Sequence, residues 1–386
     1  MREVFVLVAI CSLGCGRFGF GDDQAGDGGT VPRSCVSQFT AFGDPICYLR
    51  PDGQVWCWGD NSRGQLGDGT LTSRLTPGPS QITDAVAIDS GEFTACAIRR
   101  DRTLACWGEN TDGQVGDGSG IDRELPAAVN LRAGVAAVRG GELHTCAALE
   151  DGSSWCWGAN ASGQLAQPAG ADRLAPIEVS TIGGSLDFTI GDEFTCVLRT
   201  DRTVWCIGMG LTGELGDGLG TSRSTFAPVA AITDPVVQLK AGCHRHICAV
   251  TAVGDVWCWG DNTRGQVGTG VTSAMELTPR RVAGVTGAVQ VAVGYEHSCA
   301  RTATDEVWCW GTNTRGQLGT GGFLPSLAPA RVAGLTGHLV DFQAGCVSSY
   351  VVRDDRTLVA WGAGDAIGTG STLDQPSPVE VALPCP

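Results

Sequence analysis

From residue 35 onward the chain is a run of short apolar stretches separated by glycine- and aspartate-rich breaks, with the period-two spacing of β-strands. Residues 85–91 (AVAIDSG) form one such stretch and end at a glycine. Residues 96–108 (CAIRRDRTLACWG) read as a hairpin that turns at Arg100, Asp101 and Arg102. Sister segments place Asp52-Gly53 or Asp151-Gly152 at that turn, the kind of dipeptide that tight hairpins favour. In the returning strand Val55 and Cys57 share one face and Trp56 and Trp58 the other. Both faces are therefore apolar, and the sheet must be covered on both sides. A proline-led stretch closes each unit, as in residues 277–284 (LTPRRVAG) and 327–334 (LAPARVAG).

The units repeat. Cysteines ten residues apart recur as Cys47 with Cys57, Cys96 with Cys106, Cys146 with Cys156, Cys196 with Cys206, Cys248 with Cys258, and Cys299 with Cys309. A seventh unit keeps the outline with Tyr350 and Ala360 instead. Successive pairs start 49 to 52 residues apart. Seven four-stranded units, each covered on both faces by its neighbours, predict an all-β chain, a seven-bladed β-propeller of four-stranded antiparallel blades. The units fall near residues 35–82, 83–133, 134–183, 184–234, 235–286, 287–337 and 338–386. The hairpin register sets Cys47 opposite Cys57, where alpha carbons lie ~4.5 Å apart, within disulfide reach. Each pair is thus expected to staple two neighbouring strands.

The hairpins run into loops such as residues 58–69 (WGDNSRGQLGDG), 107–118 (WGENTDGQVGDG), 259–270 (WGDNTRGQVGTG) and 310–321 (WGTNTRGQLGTG). A phosphate-binding loop would need a lysine and a following helix, which this motif lacks. An EF-hand-like calcium loop would end in a bidentate glutamate, also lacking, and Asp68 and Asp117 become Thr269 and Thr320 in sister copies. The loop reads as scaffold. These segments resemble the repeat of the regulator of chromosome condensation family over about residues 35–386, with degenerate copies at Trp157, Ile207 and Trp361. The resemblance implies the same seven-bladed fold.

Eighteen cysteines without a CxxC spacing point to disulfides in an oxidising compartment rather than to metal. The N-terminus agrees: Arg2, a short apolar run and small residues read as a secretory leader, and SLGC at residues 12–15 as a lipobox that would acylate Cys15 at the outer membrane or surface, with plain secretion as the alternative. Residues 16–34 then read as a flexible tether. Cys35 and Cys385 fall at the junction between the first and last units, where no chain runs, and are expected to close the ring. No strand is left over to exchange there, so the ends are expected to meet through side-chain packing. Cys243 and Cys346 follow the glycines that end inner strands, near the central opening, and either pair or remain thiols.

A net charge of −15 argues against nucleic acid as a partner. The candidate binding rim is the set of turns before each first cysteine: Glu92, Phe93, Glu142, His144, Asp192, Glu193, Phe194, His244, Arg245, His246, Tyr295, Glu296 and His297. The family resemblance implies that His144, His246 and His297 brace a turn. The alternative is a ring of carboxylates and imidazoles that holds a cation or a basic side chain. Without a GxSxG elbow or an HExxH motif, the sequence predicts no catalytic residue, metal or cofactor. The expected function is a non-catalytic, monomeric binding scaffold for another protein or an envelope polymer, outside a bacterial cell, touching membrane only through its lipid. A channel-face lyase or hydrolase is the alternative, and the family's nucleotide exchange the least fitting reading.

Overall fold

A computed structural model, described over residues 35–180 and 185–385, folds the chain into seven four-stranded sheets. Each sheet uses four consecutive strands in antiparallel order, and among the described residues there is no α-helix. The first blade shows the plan: inner strand Gln38–Thr40, second strand Ile46–Leu49, third strand Val55–Gly59 and outer strand Arg74–Pro79. The blades form a seven-bladed β-propeller. Antiparallel order fixes what each side of the disc carries. The turn from inner to second strand and the long loop from third to outer strand share one side, the mouth face. Hairpin tips and blade-to-blade connections share the other, the tip face.

The core is divided among the seven junctions between blades, each with its own cluster of buried side chains. Six tryptophans, Trp58, Trp107, Trp157, Trp259, Trp310 and Trp361, are fully buried there. Each indole is held by the preceding blade. Trp107 Nε1 donates to the Gln65 carbonyl at 2.9 Å, Trp157 to Gln114 at 2.9 Å and Trp310 to Gln266 at 2.8 Å. The glycine two residues after the accepting residue makes this approach possible. A Cβ on Gly116, which sits at φ +80°, would lie 2.5 Å from Trp157 Nε1. The same loop then donates outward: Gly69 N to Glu124 O, Gly118 N to Leu174 O and Gly270 N to Leu327 O, each 2.9–3.0 Å. Indole, glycine and backbone bond together make a latch from each blade to the next.

The loop is rigid from within. The Asn61 and Asn110 side chains are fully buried; Asn61 Oδ1 accepts from Leu66 N at 2.9 Å while its amide donates to Thr70 O at 2.9 Å. Asp68, Asp117 and Asp217 pair with Arg74, Arg123 and Arg223, six residues on. Where threonine replaces the aspartate, at Thr269 and Thr320, the arginine is replaced too, by Met275 and Ser326. The aspartates therefore serve an ion pair, which accounts for their loss in those copies.

One junction lacks the latch. Between blades three and four the indole position is Ile207, and the facing glycine is Ala166, held at φ +54°. Glycine and tryptophan are lost together because the alanine Cβ takes the space an indole would need. Only Thr195 Oγ1 donates to the Gln164 carbonyl, at 3.1 Å. The position that donates to the next blade elsewhere, Gly69 or Gly118, is Pro168 here and has no amide N–H to give, and the Gly170 amide donates back to Asn160 O. The closing junction, by contrast, is complete: Trp58 Nε1 donates to Ala366 O at 2.6 Å and Gly370 N to Leu75 O at 2.9 Å. Side-chain packing alone was expected at that seam. The structure adds the latch, and Tyr350, in the first-cysteine position, donates to the same Ala366 carbonyl at 2.9 Å.

Directly opposed cysteines form the six hairpin disulfides, with Cα separations of 4.0–4.2 Å. Cys47 is joined to Cys57, Cys96 to Cys106 and Cys146 to Cys156. Cys196 is joined to Cys206, Cys248 to Cys258 and Cys299 to Cys309. The strand register places each of these residues opposite its partner. All twelve are at most 2% exposed, so Cys57, Cys106, Cys156, Cys206, Cys258 and Cys309 belong with their partners to the core and not to an accessible site. Cys35 and Cys385 join the ends at a Cα separation of 5.1 Å, and Cys243 and Cys346 bridge blades five and seven at 5.7 Å. That second span is short because the mouth turns of blades five, six and seven touch: Gly242 lies on the Gly294 carbonyl and Gly294 on the Gly345 carbonyl. Cys15 and the leader lie outside the described residues.

Two outcomes follow from the ring. Ile207→Trp alone should destabilise the protein by about 1–3 kcal/mol through overpacking. Adding Ala166→Gly should recover that loss, a favourable coupling in a double-mutant cycle of chemical denaturation; additive effects would mean the latch is not a pairwise fit. Serine at both Cys35 and Cys385 should cost more melting temperature than serine at Cys96 and Cys106. The bonds close sequence separations of 350 and 10, worth about 6 and about 3 kcal/mol in the chain-entropy model. Equal losses would place the strength of the seam in the latch alone.

Candidate functional site: the channel and its mouth

The seven inner strands line a central channel, and the residue two before each mouth glycine points into it: Asp89, Arg139, Thr189, Lys240, Ala292 and Gln343. Lys240 is the chain's single lysine. Arg139 Nη2 lies 3.1 Å from Asp187 Oδ1, and Asp89 Oδ2 accepts the Gly140 amide at 2.8 Å. Burial raises the pKa of both aspartates, and the Arg139 and Lys240 charges oppose that rise. The cavity left between these side chains is about 50 Å³. That admits a few waters, whereas ligand sites run to several hundred Å³. Sequence reading missed this charge set because Asp89, Arg139, Asp187 and Lys240 are each the single charge of an otherwise uncharged strand. For Asp89, Arg139 and Lys240 the signal was the fixed distance to the glycine.

The turns above the channel grip one another. Asp44 N donates to Glu92 O at 2.9 Å, Glu92 N to Gly141 O at 3.2 Å and Tyr295 N to Cys346 O at 2.9 Å. Phe42 reaches across so that its carbonyl lies against the sulfurs of the bond between Cys243 and Cys346. The carbonyls of Phe93, Glu193, Arg245 and Glu296 accept from Glu109, Met209, Asp261 and Thr312, fastening each turn to the start of its own blade's loop.

The sequence-predicted rim separates into two groups. His144, His246 and His297 are fully buried, as is Phe194, which occupies the same slot in blade four. These four are therefore removed from the accessible rim. His144 Nε2 meets Thr195 Oγ1 at 2.8 Å, His246 Nε2 meets Ser298 Oγ at 2.9 Å and His297 Nε2 meets Ser349 Oγ at 3.1 Å, all in the next blade. Those hydroxyls donate onward to the carbonyls of Gln164, Gln266 and Gln317. The hydroxyl oxygen must then accept from the imidazole, so each ring carries its proton on Nε2. Burial lowers their pKa to about 3, about 3 and about 4. The histidines are neutral braces.

The second group remains at the mouth. Glu92, Glu142 and Asp192 take the position after the glycine in blades two, three and four, and Glu142 interacts with both neighbours. Burial, followed by mutual repulsion, raises the pKa of Glu142; burial and the Asp192 and Asp44 charges raise that of Glu92. Asp44, beside them, is pushed up to about 6, chiefly by burial and then by Asp60 and Asp365. Opposite, Arg245 Nε approaches Asp192 Oδ2 at 3.5 Å, and His244 stacks on Tyr295 with ring centroids 4.4 Å apart. Glu296 accepts from Thr312 Oγ1 at 3.1 Å, and Glu193 from Ser162 Oγ. Among the described residues no group of three or more His, Cys, Asp or Glu is arranged to hold a metal ion.

The fold defines a seven-bladed repeat propeller. The chain belongs to the regulator of chromosome condensation (RCC1) repeat family, whose repeat model matches residues 52–98, 104–148, 151–198, 253–301 and 304–352. A second model of the repeat matches residues 85–114, 135–164, 236–266 and 288–317. Among curated proteins it is 34% identical over 143 residues to the probable E3 ubiquitin-protein ligase HERC6 of Homo sapiens, covering 36% of this chain and 14% of that protein. It is 29% identical over 153 residues to the ultraviolet-B receptor UVR8 of Arabidopsis thaliana, covering 38% of this chain and 34% of that one. The matched segments are thus a minor part of these relatives. Among solved structures, human WBSCR16 superposes with a TM-score of 0.79 at 20% identity, covering 86% of this chain and 94% of that one. Prp20p of Saccharomyces cerevisiae, a structure reported with its binding to Gsp1p and histones, gives 0.73 at 18%, covering 87% and 88%.

The mouth carboxylates give a pH-dependent outcome. A carboxyl with a raised folded pKa binds protons that the unfolded chain has lost, so stability falls as pH rises through the interval above its ordinary value. Glu142→Gln should raise the melting temperature at pH 8, by about 1–2 °C for ~1 kcal/mol in a chain of this size, and change it little at pH 4. A loss at pH 8 would mean the carboxylate has a partner that stabilises it.

Proposed function

We propose that the protein is a non-catalytic scaffold that binds another protein outside the cell, exported and tethered through lipid at Cys15 in a bacterial envelope. The observation that carries this reading is the rigidity of the ring. Six blades are stapled, a seventh covalent bond closes the ends, and an eighth locks the mouth. Such bonds persist in oxidising compartments, and a surface fixed in advance loses less entropy on binding. A channel cavity of about 50 Å³ favours binding across a face over turnover of a substrate inside the ring. Prp20p, with the same fold, is described with protein partners, which supports the same use here.

The test has two arms. Cys15→Ser should move the protein from the membrane fraction to the soluble fraction of the envelope; an unchanged distribution removes the lipid tether. Residues 35–386, oxidised and immobilised, should retain a defined partner that, once purified, re-forms a complex of fixed stoichiometry. Chemical conversion of that partner by the propeller would replace the scaffold reading with an enzymatic one.

A further inference from the structure

Two surface properties single out the mouth face. The chain has fifteen exposed large hydrophobic residues among those described, and only Leu186, Val253 and Val289 belong to the tip face. Tyr295 lies in a mouth turn, and the others form a crown. Leu71, Ile121, Leu219, Val271, Leu324 and Leu373 each fall within three residues after the glycine whose amide donates to the next blade, and are between 54% and 84% exposed. Leucines of the following outer strand continue the apolar surface from blade to blade: Leu125 lies over Gly69, Leu174 over Gly120 and Leu277 over Gly220. Exposed apolar surface concentrated on one side marks a contact site.

Charge is polarised the same way. The net charge of the chain is −15. On the tip face, arginines and aspartates alternate within single hairpins, as at Arg199, Asp201 and Arg202 or Arg353, Asp355 and Arg356. In the mouth-face loops carboxylates outnumber arginines more than twofold, and the arginines that open three outer strands, Arg74, Arg123 and Arg223, are already committed to Asp68, Asp117 and Asp217. Glu92 and Glu142 stand at the centre of this face, with Asp192 buried beside them against Arg245 and the apolar crown around them.

We propose that the mouth face docks a basic folded protein, whose cationic side chain enters among Glu92, Glu142 and Asp192 while apolar side chains seat on the crown. The proposal deepens the scaffold reading and rests on it. Complementary charge selects the occupant: a second copy would set acid against acid, and an anionic membrane surface would be repelled likewise. A cation brought to the mouth also relieves the repulsion among the three carboxyls, a gain that a neutral partner does not supply.

The probe is cytochrome c, folded and basic, with its succinylated form as an acidic protein of the same shape. Residues 35–386 should bind cytochrome c and not the succinylated form by calorimetry at about 50 mM salt, with affinity falling as screening increases. The variant Glu92→Gln, Glu142→Gln, Asp192→Asn should weaken binding at least tenfold. Leu71→Ser with Leu324→Ser and Leu373→Ser should weaken it at least fivefold at about 150 mM salt, where apolar contact outweighs charge. Val253→Ser with Asp201→Asn on the tip face should change nothing, and all variants should keep the wild-type melting transition. Equal binding of the succinylated form, no binding at all, or an effect below twofold from both mouth-face variants overturns the proposal. So does a dimer in sedimentation that the crown variant disperses, which would assign the crown to a second copy. A captured natural partner lost only on tip-face substitution would overturn the docking site and leave the scaffold reading standing.

Discussion

The ring depends on one contact repeated around it: an indole N–H of one blade given to a loop carbonyl of the blade before, across a glycine too small to obstruct it. A four-stranded sheet that is apolar on both faces cannot stand alone in water, so each blade requires two neighbours. Hydrophobic burial supplies the attraction but no register, since it is non-directional. The indole bond supplies the register. It fixes how far each blade leans on the next, and six such contacts plus one substitute bring the seventh blade back to the first.

The substitute junction shows that the contact is a fit between two positions. Ala166 and Ile207 replace glycine and tryptophan together, just as Met275 and Ser326 accompany the loss of aspartate at Thr269 and Thr320. A single chain with internal copies thereby records its own pairwise constraints. These constraints lie across a blade interface in the first case and within a loop in the second, which is why one affects the ring and the other only a turn.

This internal record made the fold legible before any coordinates. The fifty-residue repeat, the cysteine spacing and the two-sided apolar hairpin all report local geometry, and local geometry sets blade architecture. What depends on distance through space was not legible. The histidine slot reads equally as rim or brace until the next blade's hydroxyl is placed beside it. Asp89, Arg139 and Lys240 sit in strands that look merely apolar, since one charge per strand does not break the pattern. The crown leucines look like ordinary loop residues, because their grouping on one face emerges only after seven copies are arranged in a ring. The pairing of Cys243 with Cys346 stayed open because the gap depends on how tightly the glycine turns nest.

The position after the mouth glycine is where folding constrains the sequence least. Its occupants run Glu92, Glu142, Asp192, Cys243, Tyr295 and Cys346 through blades two to seven, at equivalent backbone positions. An acid, a sulfur and an aromatic ring all satisfy the fold there, so the fold does not demand three adjacent acids. Placing them together is costly: burial and mutual repulsion hold the carboxyls of Glu92 and Glu142 above their ordinary range. The channel below handles its charges differently, setting Asp187 against Arg139 at 3.1 Å. Of the three mouth acids only Asp192 has an arginine against it, Arg245 at 3.5 Å, whereas Glu92 and Glu142 form no ion pair among the described residues. Excess negative charge confined to the one face that also carries the exposed leucines is the arrangement that ring stability does not explain, and contact with a basic partner does.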